Sequence, residues 1–264
     1  MILLIAMPTM GDIATPTVKT LIGLTQWLRG KNIAFGFETY EFSDIVFSRN
    51  QLMSIFLTRK NYTHMLFLDA DMAFQPTVVE RMIDQDKDFV AAAYPQKHPV
   101  WNRVRKLVEA ESDLPDDEKS TMGDILARAW IYNHQLAGFG GQPWVPKRQD
   151  GFITVPATGT GLMLLSRAVP ERMIEKGAAV PKHRMAHIPL HKGLEYHDFF
   201  SHRSAADGGL MYGEDQSFCM RWTEDCGGDI WLDTQALIRH VGRKSFDGYY
   251  AHKLGDDFSE FNDL

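Results

Sequence analysis

Met1-Ile-Leu-Leu-Ile-Ala-Met7 is an unbroken apolar run stopped by Pro8 and Gly11. A strand with one wet face alternates, so a run this continuous predicts a strand buried on both faces, as in a mostly parallel sheet covered by helices. The motif recurs at His64–Leu68 and at Phe89–Tyr94. Between these runs lie helical patterns. Val18, Leu21, Ile22, Leu24, Trp27 and Leu28 keep helical spacing from Pro16 to Arg29, with Gly30 at the stop position. Ile33 to Tyr40 reads as a strand. Ser48-Arg-Asn-Gln51 has the form of a capping box ahead of Leu52, Ile55 and Phe56, and Pro76 suits the first turn of a helix through Met82 and Ile83. Strand and helix thus alternate over the first hundred residues. That predicts an α/β domain with a Rossmann-like, mostly parallel central sheet flanked by helices.

The pattern changes after Tyr94. Residues 95–150 are richer in charge, Pro and Gly, with one helix predicted from Asp116 to His134, and read as a variable insertion in a single domain. Order returns with a strand at Gly161–Leu165, a helix from Val169 to Lys176, a His-bearing loop to about Tyr212, a helix from Glu214 and a strand at Ile230–Leu232. Residues 1–242 form the expected domain and 243–264 a tail. At 264 residues and 44% hydrophobic, the chain can build a sizeable core. Its net charge of -6 gives no global attraction to nucleic acid or anionic lipid. Two cysteines, Cys219 and Cys226, are too few for a disulfide framework and read as reduced core thiols, pointing to a cytoplasmic setting. The opening apolar run lacks a basic leader and is too short for a signal peptide or a membrane span, so no integral membrane segment is expected.

Chemistry enters where Asp69-Ala70-Asp71 follows the strand His64–Leu68 directly. Open α/β sheets place their ligand crevice at that end of a strand, and paired carboxylates there suit Mg²⁺ or Mn²⁺ on substrate phosphates; turn residues after a strand are the plainer alternative. Asp84-Gln-Asp-Lys-Asp88 is denser in acid but follows a helix on a polar stretch, so acid density alone is not the signal. Gly213-Glu214-Asp215 opens a helix whose stripe is Phe218, Cys219, Trp222 and Cys226, which turns Asp215 inward. A carboxylate so placed can be a tuned general base or an N-cap. His240, after a strand and before Gly242, adds an imidazole, and a mixed N/O set suits Mn²⁺.

Taken in order, Ser48-Arg-Asn50, Phe67-Leu-Asp-Ala-Asp-Met72, Thr158-Gly-Thr-Gly-Leu-Met-Leu164, Gly213-Glu-Asp-Gln-Ser-Phe218 and His240-Val-Gly242 resemble the nucleotide-sugar glycosyltransferases of the GT-A fold. The likeness covers roughly residues 1–95 and 155–242. It implies a metal-dependent transferase that moves a sugar from a nucleotide-diphosphate sugar, UDP favoured, to an acceptor hydroxyl. It further implies Mn²⁺ (or Mg²⁺) held by Asp71 and His240 with Asp69 on the metal shell or the ribose. Pro8, Thr9, Arg49, Asn50, Asp69, Ala70 and Gly161 would line the donor pocket. Asp215, with Glu214 beside it, matches the acid that deprotonates the acceptor in inverting members. The acceptor is open among polysaccharide, lipid, protein and modified nucleic acid, with selectivity expected in residues 95–150 and 178–212.

His183, His187 and His191 are spaced by four, but Pro181 and Pro189 argue against the helix a zinc site would need. Lys97, Arg103, Arg105 and Lys106, with His98 and Trp101 between them, could meet phosphate, although a solvated face explains them more simply. A sugar nucleotidyltransferase is the alternative enzyme, but Thr9–Ile13 makes a poor Gly-rich, Lys-bearing loop. A dehydrogenase lacks its G-x-G-x-x-G after the first strand. A non-catalytic sugar- or nucleotide-binding module would have no need for Asp71, Asp215 and His240 together.

Overall fold

A computed structural model describes residues 1–181, 196–205, 209 and 211–242. The strands of its central sheet are β1 (Ile2–Thr9), β2 (Ala34–Glu41), β3 (His64–Leu68), β4 (Phe89–Ala92), β5 (Arg148–Gln149), β6 (Phe152–Val155), β7 (Leu162–Ser166) and β8 (Ile230–Asp233). The helices are α1 (Thr15–Gly30), α2 (Ile45–Thr58), α3 (Pro76–Asp84), α4 (Trp101–Ala110), α5 (Met122–Ala129), α6 (Ala168–Glu175) and α7 (Glu214–Met220). The eight strands form one sheet in the order β2-β1-β3-β7-β4-β8-β6-β5. Only β7 and β6 run against the rest, because β7 pairs antiparallel with both β3 and β4, and β6 with both β8 and β5. The expected mostly parallel α/β sheet is therefore present, with one reversed strand driven into its middle.

The continuous apolar run of β1 has a simple cause. Leu3, Ile5 and Met7 enter one core with Leu24 and Leu28 of α1 and Val78, Val79 and Met82 of α3, whereas Leu4 and Ala6 enter a second core with Leu52, Met53 and Phe56 of α2. A strand sandwiched this way has no polar face to show. Helix α2 is buried along nearly its whole length, Phe47–Leu57, including Ser48, Arg49, Asn50 and Gln51.

Three local expectations are corrected. Ser48 is not an N-cap: Asp44 accepts from the Phe47 amide at 3.1 Å and starts α2 four residues earlier, leaving Ser48 and Gln51 within the helix. The helix expected over Asp116–His134 is the shorter α5, capped by Thr121, which accepts from the Asp124 amide at 3.2 Å. It ends at Ala129 because Trp130–Tyr132 pairs with Pro95–Pro99, and strand pairing overrides the local helical pattern. Helix α4 was not anticipated: Trp101, Val104, Leu107 and Val108 keep helical spacing, but none of its residues is buried. The His183, His187 and His191 set and the tail from residue 243 lie outside the described residues.

Candidate active site

The site grows from the carboxyl end of β3. After Leu68 the chain turns through Asp69-Ala70-Asp71 into a two-residue strand, Met72–Ala73, which pairs antiparallel with Arg239–His240. The register sets His240 opposite Met72, and the Val241 amide donates to the Asp71 carbonyl at 2.8 Å. This small ladder brings Asp71 and His240 together: His240 Nε2 lies 3.5 Å from Asp71 Oδ2. Asp71 Oδ2 also accepts from Lys97 Nζ at 2.5 Å. Burial alone would raise the Asp71 carboxyl, but His240 and Lys97 outweigh it and hold the group below its ordinary range.

The imidazole is oriented from behind. Its Nδ1 is 2.9 Å from the Pro95 carbonyl, which can only accept, so Nδ1 carries the proton. Nε2 then faces a carboxylate oxygen either as a second donor or as a lone pair that requires a cation between them. An imidazole anchored through Nδ1–H beside a carboxylate is the donor set that Mn²⁺ accepts. Among the described residues no group of three His, Cys, Asp or Glu converges as a complete cage. Two protein ligands with the remaining positions left to phosphate and water is how such ions sit on nucleotides.

Asp69 faces the other way. Its carboxylate accepts from Arg49 Nη2 at 3.0 and 3.2 Å, with Arg49 only 3% exposed on α2. Burial, with the charges of Asp71 and Glu214, lifts the Asp69 carboxyl despite Arg49. Burial likewise opposes the Arg49 charge, yet Asp69, Glu214 and Asp215 together raise it above its ordinary range. Those contributions place Glu214 and Asp215, in the first turn of α7, within electrostatic reach of the β3 turn. Asp215 accepts from the Gln216 amide at 2.7 Å, and burial followed by the charge of Glu214 raises its carboxyl.

A cleft of about 740 Å³ opens beside this cluster. Pro8, Thr9, Asp69, Ala70, Asp71 and Lys97 line it, together with the start of α1 at Ala14, Thr15 and Pro16. Arg49, Asn50 and Gly161 do not line it. Asn50 is fully buried, donating to Asp198 at 3.1 Å and accepting from the Phe199 amide at 2.9 Å. Gly161 accepts from the Asp69 amide at 2.9 Å, and a Cβ there would lie 2.6 Å from Met72 Cε and 2.9 Å from the Tyr94 hydroxyl. A Cβ on Gly159 would fall 2.1 Å from that hydroxyl. The Thr158–Gly161 bend thus makes room for Tyr94, whose ring meets His240 edge-on at 5.4 Å.

Tyr94 and Lys97 are the residues that sequence reasoning missed as site members. Tyr94 is signalled only by an aromatic ending a buried strand in a chain that also carries two closely spaced glycines. Lys97 looked like one cation among several.

No protein-family model matches the chain, and no curated protein matches it. Among solved structures, A197 from STIV superposes with a TM-score of 0.45 at 17% identity, over 92% of this chain and 87% of that one. GalNAc-T7, in a crystal structure with UDP, GalNAc and Mn²⁺, gives 0.41 at 10% identity over 92% of this chain and 43% of its own. A glycosyltransferase involved in the glycosylation of the major capsid of PBCV-1 gives 0.31 at 13% identity over 66% and 63%. The chain spans less than two thirds of the length of the latter two. Among the described residues, no helix is long and apolar enough to cross a membrane.

Proposed function

We propose that the protein is a metal-dependent glycosyltransferase, built as a GT-A-like domain over residues 1–242, that moves a sugar from a nucleotide-diphosphate sugar, a UDP-sugar favoured, to an acceptor hydroxyl with inversion. The observation that carries this reading is the meeting of Asp71 and His240 beside a cleft large enough for a nucleotide. The cleft's charge supports it. Asp12, Asp71 and the Arg49-paired Asp69 line it with one ammonium, Lys97, so an added cation favours the entry of a diphosphate.

Bound by Asp71 and His240, Mn²⁺ or Mg²⁺ supplies the Lewis acidity that neutralises a departing diphosphate. The residues of the chain do the rest. Pro8, Thr9 and Ala70 wall the nucleotide, with the first turn of α1 at Thr15 and Pro16 closing the cleft beside them. Arg49 balances Asp69, so that Asp71 meets the cation without a second bare carboxylate next to it. Asp215 takes the acceptor proton at its carboxylate as the hydroxyl oxygen bonds to the anomeric carbon and the bond to the diphosphate breaks on the opposite face. Burial and Glu214 make that carboxylate a stronger base than a free one.

The test is a panel of nucleotide sugars incubated with Mn²⁺ or with a chelator, reading released nucleoside diphosphate and the anomer formed. Metal-dependent release with inverted product is expected. A folded protein that neither hydrolyses nor transfers from any donor overturns the proposal.

A further inference from the structure

Lys97 stands where the metal-dependent reading leaves no role for it. It lies on Pro95–Pro99, the strand whose Pro95 carbonyl anchors His240, and its Nζ is 2.5 Å from Asp71 Oδ2, the oxygen that His240 also faces. Its stem is seated: a Cβ built on Gly242 would come within 3.0 Å of Lys97 Cδ, so the lysine runs across the backbone just after His240. The side chain is 43% exposed and lines the cleft, so it has room to swing. Asp69 already has Arg49, which leaves Asp71 as the acid that depends on Lys97.

We propose that Lys97 is a resident counter-cation of the Asp71 site, holding the carboxylate in the nucleotide-free protein, leaving it when a divalent ion binds, and then pairing with a phosphate of the nucleotide. The proposal rests on the metal-dependent reading above. Its physical basis is that an ammonium and a divalent ion repel each other strongly at one carboxylate oxygen. The released ammonium stays within the cleft because Gly242 fixes the base of its stem, and a diphosphate is the one strongly anionic group that the proposed reaction brings there. Lys97 is in this sense a positioning residue on two states of one site.

Calorimetric titration of MnCl₂ into nucleotide-free protein, followed by UDP into Mn²⁺-saturated protein, separates the two states. Lys97→Met and Lys97→Gln are expected to bind Mn²⁺ about two- to fivefold more tightly, the worth of a partly exposed ion pair, and UDP about fivefold more weakly. Gly242→Val, which crowds the stem without removing the charge, is expected to shift both affinities in the same directions. Mn²⁺ affinity that is unchanged or weaker in both lysine variants overturns the resident-cation role. Tighter Mn²⁺ with unchanged UDP overturns the phosphate role. Mn²⁺ bound by the lysine variants and not by the wild type supports the proposal. If no form binds Mn²⁺ or Mg²⁺, with or without UDP, the metal-dependent reading itself fails and takes the proposal with it. Far-ultraviolet circular dichroism on each variant establishes that the comparison is between folded proteins.

Discussion

Arg49 Nη2 reaches both carboxylate oxygens of Asp69, at 3.0 and 3.2 Å, from a helix that buries almost every side chain it carries. Nε and Nη1 of the same guanidinium are buried without a hydrogen-bond partner among the described residues. Arg49 is thus committed to the acids around it, not to solvent, and joins α2 to the β3 turn. Removing it leaves Asp69 with burial and two like charges, offset only by the more distant His240. Arg49→Met is expected to lower the unfolding free energy by about 3 kcal/mol, the low end for breaking a buried pair, since part of Asp69 still touches water. Urea midpoints at unchanged m-value measure this, and Arg49→Met with Asp69→Asn should recover half or more. A single-variant loss below about 1 kcal/mol would mean that the pair behaves as a surface one.

Asp215 gives a pH prediction with a definite sign. Burial and the charge of Glu214 raise its carboxyl, and a general base works only when deprotonated. Transfer should therefore fall as pH drops through a value above the ordinary aspartate range of about 4. Glu214→Gln removes a like charge and should move that limb to lower pH. Asp215→Asn should cost at least about 10²-fold in transfer while leaving donor binding intact. A rate profile that does not move in Glu214→Gln would detach the base from its neighbour.

Much of this was legible in the sequence where a residue's role is set by its own strand or helix. β1, β3 and β4 announced themselves because burial on both faces leaves an apolar run, and the place of Asp69 and Asp71 at the carboxyl end of β3 follows from that strand. What was hidden depends on contacts between distant segments. The resemblance puts Gly161 in the donor pocket, but the space beside Gly159 and Gly161 is taken by Tyr94. The resemblance gives Asn50 a place in the donor pocket beside Arg49, yet one position along a helix turns a side chain by about 100°, toward Asp198. The antiparallel placement of β7 between two parallel neighbours has no local signature, since reversing a fully apolar strand leaves its composition unchanged.

Tyr94 links the glycine bend to the imidazole. Its hydroxyl accepts from the Gly161 amide at 3.1 Å and from Asn133 Nδ2 at 2.9 Å, while the ring edge supports His240. Gly159→Ala places a methyl on backbone against the hydroxyl and ring, which cannot move without disturbing these contacts. A destabilisation of about 1–3 kcal/mol is expected, as for overpacking elsewhere, together with weakened Mn²⁺ binding. Thermal melts and Mn²⁺ titration read the two effects. Loss of stability with full Mn²⁺ affinity would uncouple Tyr94 from His240.

Asn50 separates a structural role from a donor-binding one. Its amide holds the Asp198 carboxylate and the Phe199 amide, and Phe200, the next residue, stacks on Phe218 of α7 with ring centroids 4.4 Å apart. Phe218 follows Asp215 by less than one helical turn, so the contact that Asn50 secures also seats the proposed base. Asn50→Ala leaves a buried amide and a buried carboxylate each short of a partner, at a cost of about 1–3 kcal/mol. Hydrogen exchange at Phe199 should accelerate and transfer should fall, while Mn²⁺ and UDP binding should stay within about twofold of wild type, an upper limit set by roughly 0.4 kcal/mol. If instead UDP affinity collapsed with stability and exchange unchanged, Asn50 would be touching the nucleotide, as the resemblance implies, and its bonds to Asp198 and Phe199 would be incidental.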